Sequence, residues 1–118
     1  MLLASAVTVY ATKRVEEAKV TRATMDIEAL AAAIDTYYLH NGVYPSSLTD
    51  LSTKPSGQEL PQWNGPYIQK PVVNDPWGQP YIYVTPGQHN ADSYDLSTLA
   101  KDGKEGGSGP DADITNWQ

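Results

Sequence analysis

The chain has 118 residues, a formal net charge of −6, and neither cysteine nor phenylalanine. This length suffices for one domain, and the lack of cysteine excludes disulfide bonds and thiol or zinc–thiolate chemistry. Because the excess charge is negative, the phosphate backbone of a nucleic acid is not an expected partner.

The first segment, Leu2–Asn41, contains neither proline nor glycine and predicts one continuous helix, roughly 60 Å long at about 1.5 Å per residue. Residues 2–11 are apolar or hydroxyl-bearing on all sides, and such a helix has to be buried in protein or lipid. Beyond Lys13 the apolar residues narrow to one stripe, which predicts packing against a domain. The stripe consists of Val20, Ala23, Ile27, Leu30, Ile34 and either Tyr37 or Tyr38.

The apolar start is too short to cross a membrane, since a spanning helix needs about 20 apolar residues. It lacks the basic region and the cleavage-like break of a signal peptide. We interpret residues 1–12 as the remnant of a longer membrane or filament-core helix, and residues 13–118 as a globular head that includes the rest of the helix. The alternative is an unusually apolar core helix. Basic residues such as Lys13 and Arg14 directly after an apolar segment suit the edge of an anionic membrane.

The segment after the helix begins with Asn41-Gly42, a pair typical of a helix end. Residues 46–51 predict a short helical turn with Ser46 or Ser47 as its cap. Residues 52–65 predict an irregular loop, anchored on the helix by Leu60 and Trp63.

The β-structure is expected in the second half of the chain. Residues 81–84 are aromatic and β-branched and predict a strand, and residues 93–99 predict its partner after a turn at Pro86-Gly87. Residues 77–80 are a candidate third strand. Since a two-stranded hairpin alone is unstable in water, this sheet is expected to pack on the helix stripe.

The last segment is rich in glycine and acid, with four of each in residues 101–113. Runs of this kind are usually solvated flexible loops. The alternative is a calcium site, because calcium prefers six to eight oxygens from carboxylates and backbone carbonyls. Its candidate ligands are the carboxylates of Asp102, Asp111 and Asp113 and the carbonyls of Leu99, Lys101 and Lys104. The EF-hand pattern is absent.

Two sequence motifs resemble those of a known protein family. They are Asp75-Pro76-Trp77-Gly78 and the ending Asp102-Gly103…Asp111-Ala112-Asp113-Ile114-x-Asn116-Trp117. Together with the Tyr44-Pro45 exit from the helix, they are similar to the major pseudopilins of type II secretion, within the type IV pilin-like superfamily. The resemblance implies an α+β fold, in which a long N-terminal helix packs on a small antiparallel sheet as a pilin-like α/β-roll variant. It also implies a C-terminal loop that binds Ca²⁺ through the six residues named above.

The function implied by the resemblance is structural, and no enzymatic activity is expected. Such a subunit polymerises into a periplasmic pseudopilus that drives export of folded proteins across the outer membrane. The implied partners are further copies, minor pseudopilins and components of the inner-membrane secretion assembly, with no nucleic acid and no small-molecule substrate. Before assembly the N-terminal helix lies in the inner membrane of a Gram-negative bacterium, with the head in the periplasm. Methylation is a further family feature.

The chain departs from the family at its start. Members of the family begin with a prepilin peptidase site, which is followed by a hydrophobic stretch and a glutamate. These features are missing here, so the chain is expected to begin partway along the membrane helix. The helix-loosening proline is also missing, which predicts a straighter helix.

Three other functions fit the sequence less well than that of a pseudopilin. A type IV pilus subunit for adhesion or DNA uptake shares the fold, but the acidic head and the lack of a disulfide disfavour it. A soluble calcium-binding module leaves residues 2–11 unexplained. Catalysis by His40 or His89 lacks any accompanying G-x-S-x-G, P-loop or H-E-x-x-H motif.

Overall fold

The computed structural model describes the backbone of residues 2–57, 59–71 and 74–117, and the side chains of the same ranges from residue 11 onward. Within these ranges the chain forms one α-helix, three strands and two 3₁₀ turns. These are α1 (Leu2–Asn41), a first 3₁₀ turn (Leu48–Leu51), β1 (Ile82–Val84), β2 (Asp95–Thr98), a second 3₁₀ turn (Gly109–Asp111) and β3 (Ile114–Thr115).

Helix α1 is uninterrupted over 40 residues, as its lack of proline and glycine predicts. It ends where expected: Gly42 has a φ of 73°, and its N–H donates to the carbonyl of Tyr38 at 2.8 Å. Among the described residues no helix is both long and apolar enough to cross a membrane. Because the side chains of residues 2–10 lie outside the described part, the division between residues 1–12 and 13–118 stays a prediction.

The predicted stripe of α1 forms one side of the hydrophobic core. Ala23, Ile27, Leu30 and Ile34 are buried, while Val20 is half-buried. The aromatic member of the stripe is Tyr37, which is fully buried, whereas Tyr38 is 45% exposed. The opposite side of the core comes from the loops and the sheet. Its buried members are Leu51, Leu60, Tyr81, Tyr94 and Leu96.

The sheet is antiparallel with strand order β1-β2-β3. Ile82 pairs with Ser97 and Val84 with Asp95, which confirms the predicted hairpin. The prediction of a third strand at residues 77–80 is wrong. That segment makes only an isolated bridge between Asn74 and Pro80, because proline has no N–H to donate to a ladder. The third strand is Ile114–Thr115, which pairs with β2.

Aromatic side chains of the head donate hydrogen bonds to three carboxylates spaced along α1. The pairs are Trp77 Nε1 to Glu16 at 3.1 Å, Tyr81 to Asp26 at 2.7 Å and Tyr94 to Asp35 at 3.1 Å. Burial and the neighbouring Asp26 raise the pKa of Tyr81, so its hydroxyl remains a donor. Apolar burial holds the sheet against the helix, and these directional bonds fix its position along it.

Asp75 caps the turn that contains Pro76 and Trp77. Its Oδ1 accepts N–H groups from Trp77 at 3.0 Å and Gln79 at 2.9 Å. Its Oδ2 accepts the Thr98 hydroxyl, which in turn accepts the N–H of Ala100. One buried carboxylate therefore connects this turn to the end of β2 and to the start of the C-terminal loop.

Asp95 is a second buried carboxylate, and it organises the β1–β2 turn. It accepts the backbone N–H groups of Gln88, His89 and Asn90 at 2.8–2.9 Å, and Nδ1 of His89 lies 3.1 Å away. A Cβ on Gly87 would collide with its Oδ1, so only glycine fits there. Burial acts to raise the pKa of Asp95, but these donors outweigh burial and lower it to about 2.

We expect Asp95→Asn to destabilise the fold in a pH-dependent way. The ordinary pKa of 3.8 falls to about 2 on folding, so the stabilisation is complete above about pH 4 and is lost as the pH falls towards 2. At pH 7 the variant should lose about 1–3 kcal/mol of unfolding free energy, because buried donors lose a charged acceptor. Urea titrations between pH 2 and 7 measure this difference.

The matched control is Asp92→Asn, which changes an exposed carboxylate three residues away. It should alter the unfolding free energy by less than about 0.5 kcal/mol at any pH. A difference between Asp95→Asn and the parent chain that stays constant from pH 2 to 7 would contradict the proposed role of the charge.

Candidate functional site

The segment between β2 and β3 carries all six predicted calcium ligands. It curls tightly, since Ala100 has a φ of 63° and four glycines follow with positive φ. Left-handed backbone of this kind is readily adopted by glycine and rarely by other residues. At Gly107 glycine is required for a second reason, because a Cβ would lie 2.5 Å from the carbonyl oxygen of Asp111. The glycines therefore shape this loop.

Backbone hydrogen bonds close the loop on itself. The N–H of Lys101 donates to the carbonyl of Pro110 at 3.3 Å, so the two ends meet. Pro110 belongs to the second 3₁₀ turn, Gly109–Asp111. The N–H of Ala112 donates to the carbonyl of Gly109 at 3.1 Å and ends that turn. The loop is thus a defined structure attached to the sheet at both ends.

The three predicted carboxylate ligands have different surroundings. Asp102 is exposed, and its Oδ1 accepts the N–H of Lys104 at 3.0 Å. Asp111 is half-buried. Oδ2 of Asp113 accepts the N–H of Gly106 at 3.1 Å, while Oδ1 is buried without a hydrogen-bond partner. A buried carboxylate oxygen without a donor is costly, and a cation would remove that cost.

The structure does not bring the candidate calcium ligands together into a complete metal-binding site. In the described ranges, no three acidic, histidine or cysteine side chains are placed to hold one metal ion. The backbone of the exposed residues Lys101 and Lys104 and of the half-buried Leu99 lies on the same curled loop. The chemistry of the donors fits calcium, and the loop would have to tighten around the ion.

Glu16 is a site residue that the sequence did not indicate. Its side chain is only 14% exposed and lies 4.0 Å from Nζ of Lys101 and 3.9 Å from Nζ of Lys19. It also accepts the indole N–H of Trp77. Glu16 therefore joins the calcium-loop candidate and the Asp75–Trp77 turn to α1. The sequence feature that could have indicated Glu16 is its position one helical turn before Val20, where the buried stripe of α1 begins.

The Asn116-Trp117 ending fastens the loop to the sheet. The Asn116 side chain accepts the N–H of Leu96 at 2.7 Å and donates to the carbonyl of Tyr94 at 3.2 Å. The Trp117 ring stacks on His89 at 4.1 Å. These residues therefore act as anchors of the C-terminal segment.

Neither histidine is arranged as in a hydrolase. His40 lies 2.9 Å from the hydroxyl of Tyr67, and His89 contacts Asp95 and Trp117. No serine or threonine hydroxyl hydrogen-bonds to either ring in the described part of the chain. Both rings therefore have packing partners and lack a nucleophile.

Comparisons with known proteins point to one family over most of the chain. The family model described as Type II secretion system (T2SS), protein G, matches residues 10–117. The chain is 47% identical over 120 residues to the type II secretion system core protein G of Pseudomonas aeruginosa, covering 98% of this chain and 83% of that protein. It is 43% identical over 106 residues to the protein of the same name from Vibrio cholerae, covering 86% and 70%.

A solved structure confirms the predicted fold. The major pseudopilin from the type 2 secretion system of enterohaemorrhagic Escherichia coli matches with a TM-score of 0.68 and 31% identity, covering 88% of this chain and 87% of that one. These similarities do not favour the alternative of a type IV pilus subunit. With its long helix, its small antiparallel sheet and its matching motifs, the chain belongs to the protein G family of type II secretion systems, the major pseudopilins.

Proposed function

We propose that this chain is the repeating subunit of a periplasmic pseudopilus, whose growth drives folded proteins through the outer membrane. The observation that supports this most is the family match over residues 10–117. The structure agrees with a mechanical role. Its largest element is a 40-residue helix. The histidine rings and the buried carboxylates, which are the side chains most able to react, make contacts that hold the turns and the sheet together.

The N-terminal part of α1 supports assembly. The head is joined to α1 at Glu16, which accepts the indole N–H of Trp77. Residues 2–11, which precede this contact, are apolar on all sides. Burying a helix of this kind against the same segment of other copies removes its apolar surface from water. The expected filament therefore has apolar helices at its centre and acidic heads outside.

We propose the inner membrane as the location before assembly, with the head in the periplasm. Residues 2–11 would lie among acyl chains, and Lys13 and Arg14 would lie at the level of anionic headgroups. Minor pseudopilins and inner-membrane assembly components are the proposed heterologous partners.

Deleting residues 1–12 should separate folding from assembly. The buried core of the described part of α1 begins at Ala23, so the truncated chain should remain a soluble, folded monomer. It should form no filaments when expressed with the other secretion components, whereas the full chain should form them. Electron microscopy and far-ultraviolet circular dichroism measure the two properties. Unfolding of the truncated head would show that residues 2–11 belong to the core and would overturn this interpretation.

We further propose that the C-terminal loop binds calcium. Asp102, Asp111 and Asp113 would supply carboxylates, and Leu99, Lys101 and Lys104 would supply carbonyl oxygens. The support is the unpaired, buried Oδ1 of Asp113 on a loop rich in acid and carbonyl groups. A bound Ca²⁺ supplies positive charge that neutralises these carboxylates. An affinity of about 10⁻⁴–10⁻³ M is typical of extracellular sites.

Removing calcium should lower the melting temperature of the chain. At a free calcium concentration ten times Kd, binding to the folded state alone adds about 1.4 kcal/mol, which corresponds to roughly 4–8 °C in a domain of this size. Scanning calorimetry with and without a chelator measures the shift. Asp102→Ala and Asp113→Ala should both abolish it.

The matched control is Glu105→Ala, which removes an exposed loop carboxylate outside the proposed ligand set. This variant should keep the full response to chelator. If calcium-loaded parent protein melts at the same temperature with and without chelator, the proposed site is wrong.

A further inference from the structure

The chain contains two Asn-Gly pairs, and the fold places both of them beside Tyr67. They are Asn41-Gly42 and Asn64-Gly65. The side-chain nitrogen of Asn41 lies 3.4 Å from the Tyr67 hydroxyl, and the backbone N–H of Asn64 donates to the same hydroxyl at 2.9 Å. In a pair of this kind the backbone nitrogen of glycine can attack the side-chain amide carbon of asparagine, because glycine has no Cβ to obstruct the approach.

The first pair is held by hydrogen bonds on both sides of the reaction. Asn41 is the last residue of α1 and is half-buried. Its side-chain nitrogen donates to the carbonyl of Tyr37 at 2.9 Å. The N–H of Gly42 donates to the carbonyl of Tyr38 at 2.8 Å. The attacking nitrogen and the amide that it would attack are therefore both held by the end of the helix.

The second pair has neither restraint. Asn64 is exposed and lies in an irregular segment. In the part of the chain that the structure describes, its side-chain amide has no hydrogen-bond partner, and the N–H of Gly65 has no acceptor. The nitrogen and the amide carbon that have to meet are therefore both available, and solvent water reaches the site.

We propose that Asn64 is a site of spontaneous deamidation, and that the fold protects Asn41 from the same reaction. The backbone nitrogen of Gly65 forms a bond to the side-chain amide carbon of Asn64. The bond from that carbon to the amide nitrogen breaks, and ammonia leaves with the proton from Gly65. One water molecule then opens the resulting succinimide ring. Opening at one carbonyl gives aspartate, and opening at the other gives isoaspartate.

Isoaspartate at this position would loosen the contacts around Tyr67. It places the side-chain methylene in the main chain, which becomes one atom longer between Asn64 and Gly65. The main chain is tightly packed here, since a Cβ on Gly65 would lie 2.6 Å from the ring of Trp63. That ring packs edge-on against Tyr67 at 5.7 Å, and the Tyr67 hydroxyl lies 2.9 Å from Nδ1 of His40 on α1. The added atom would therefore shift a loop that is joined to the end of the helix.

The test compares the two pairs within the same full chain, folded and in detergent. The protein is incubated in heavy-oxygen water at mildly alkaline pH, so that each deamidation leaves a labelled carboxyl group. Digestion in ordinary water with a protease that cleaves after glutamate separates the pairs, because Glu59 lies between them. Mass spectrometry then measures the labelled fraction of each peptide. Asn64 should react about tenfold or more faster than Asn41, since reaction at Asn41 requires two hydrogen bonds to break.

The control for the role of the fold is the same chain unfolded in urea. Both pairs should then become labelled at similar rates, because neither is held. Equal labelling of the two asparagines in the folded chain, or labelling of Asn41 alone, would overturn the proposal. So would a folded chain in which Asn64 stays unlabelled while the unfolded chain takes up label at both positions.

Thermal unfolding measures the effect of isoaspartate on the head. After incubation, a fraction of the parent chain should melt roughly 4–8 °C lower, as expected for the loss of about one hydrogen bond. Asn64→Gln should melt as before, because its longer side chain closes the ring far more slowly. Fresh Asn64→Asp has the new charge without the longer main chain and should melt like the fresh parent. A lower melting temperature in incubated Asn64→Gln, or already in fresh Asn64→Asp, would contradict the role of isoaspartate.

Discussion

The whole structure depends on the burial of one stripe of α1 against a very small sheet. Leu30, Ile34 and Tyr37 are almost fully removed from water, and each buried apolar side chain of this size contributes about 1.5–3 kcal/mol. The helix provides the apolar surface on which the sheet packs. The hydrogen bonds from Tyr81 to Asp26 and from Tyr94 to Asp35 then fix the sheet along the helix axis. Because both contacts are formed across more than 50 residues of sequence, the helix and the sheet become stable together.

The C-terminal loop depends on that arrangement in turn. It begins where Thr98 and Asp75 hold the end of β2, it lies against α1 through Lys101 and Glu16, and it ends where Asn116 joins the sheet. A ligand that tightened this loop would therefore stabilise contacts of the helix, the turn and the sheet together. Such coupling explains how a weak calcium site would matter for a head without disulfides.

The sequence predicted features that depend on local pattern and missed those that depend on distant partners. The length of α1 followed from the absence of breakers, and the hairpin followed from residues 81–84 and 93–99. Periodicity could not decide between Tyr37 and Tyr38, because adjacent positions on a helix differ by only about 100° and the sheet selects one of them. The third strand was misplaced because Ile114–Thr115 is too short to show alternation. The role of Glu16 depends on Trp77 and Lys101, which no local pattern connects to it. The candidate calcium site depended on a resemblance of motifs, since spacing alone favoured a solvated loop.

The two long faces of α1 are under different constraints. The face with Ile27 and Ile34 is packed inside one chain, where loss of a methylene leaves a cavity and costs stability. The face with Met25 and Ala29 is in water in the single chain, where an apolar side chain adds nothing to folding. Substitutions on the first face should therefore lower the unfolding free energy, whereas substitutions of exposed residues on the second should change it by less than about 0.5 kcal/mol. The two faces differ because the sheet covers only one side of the helix, and burial against the sheet is what makes an apolar side chain stabilising.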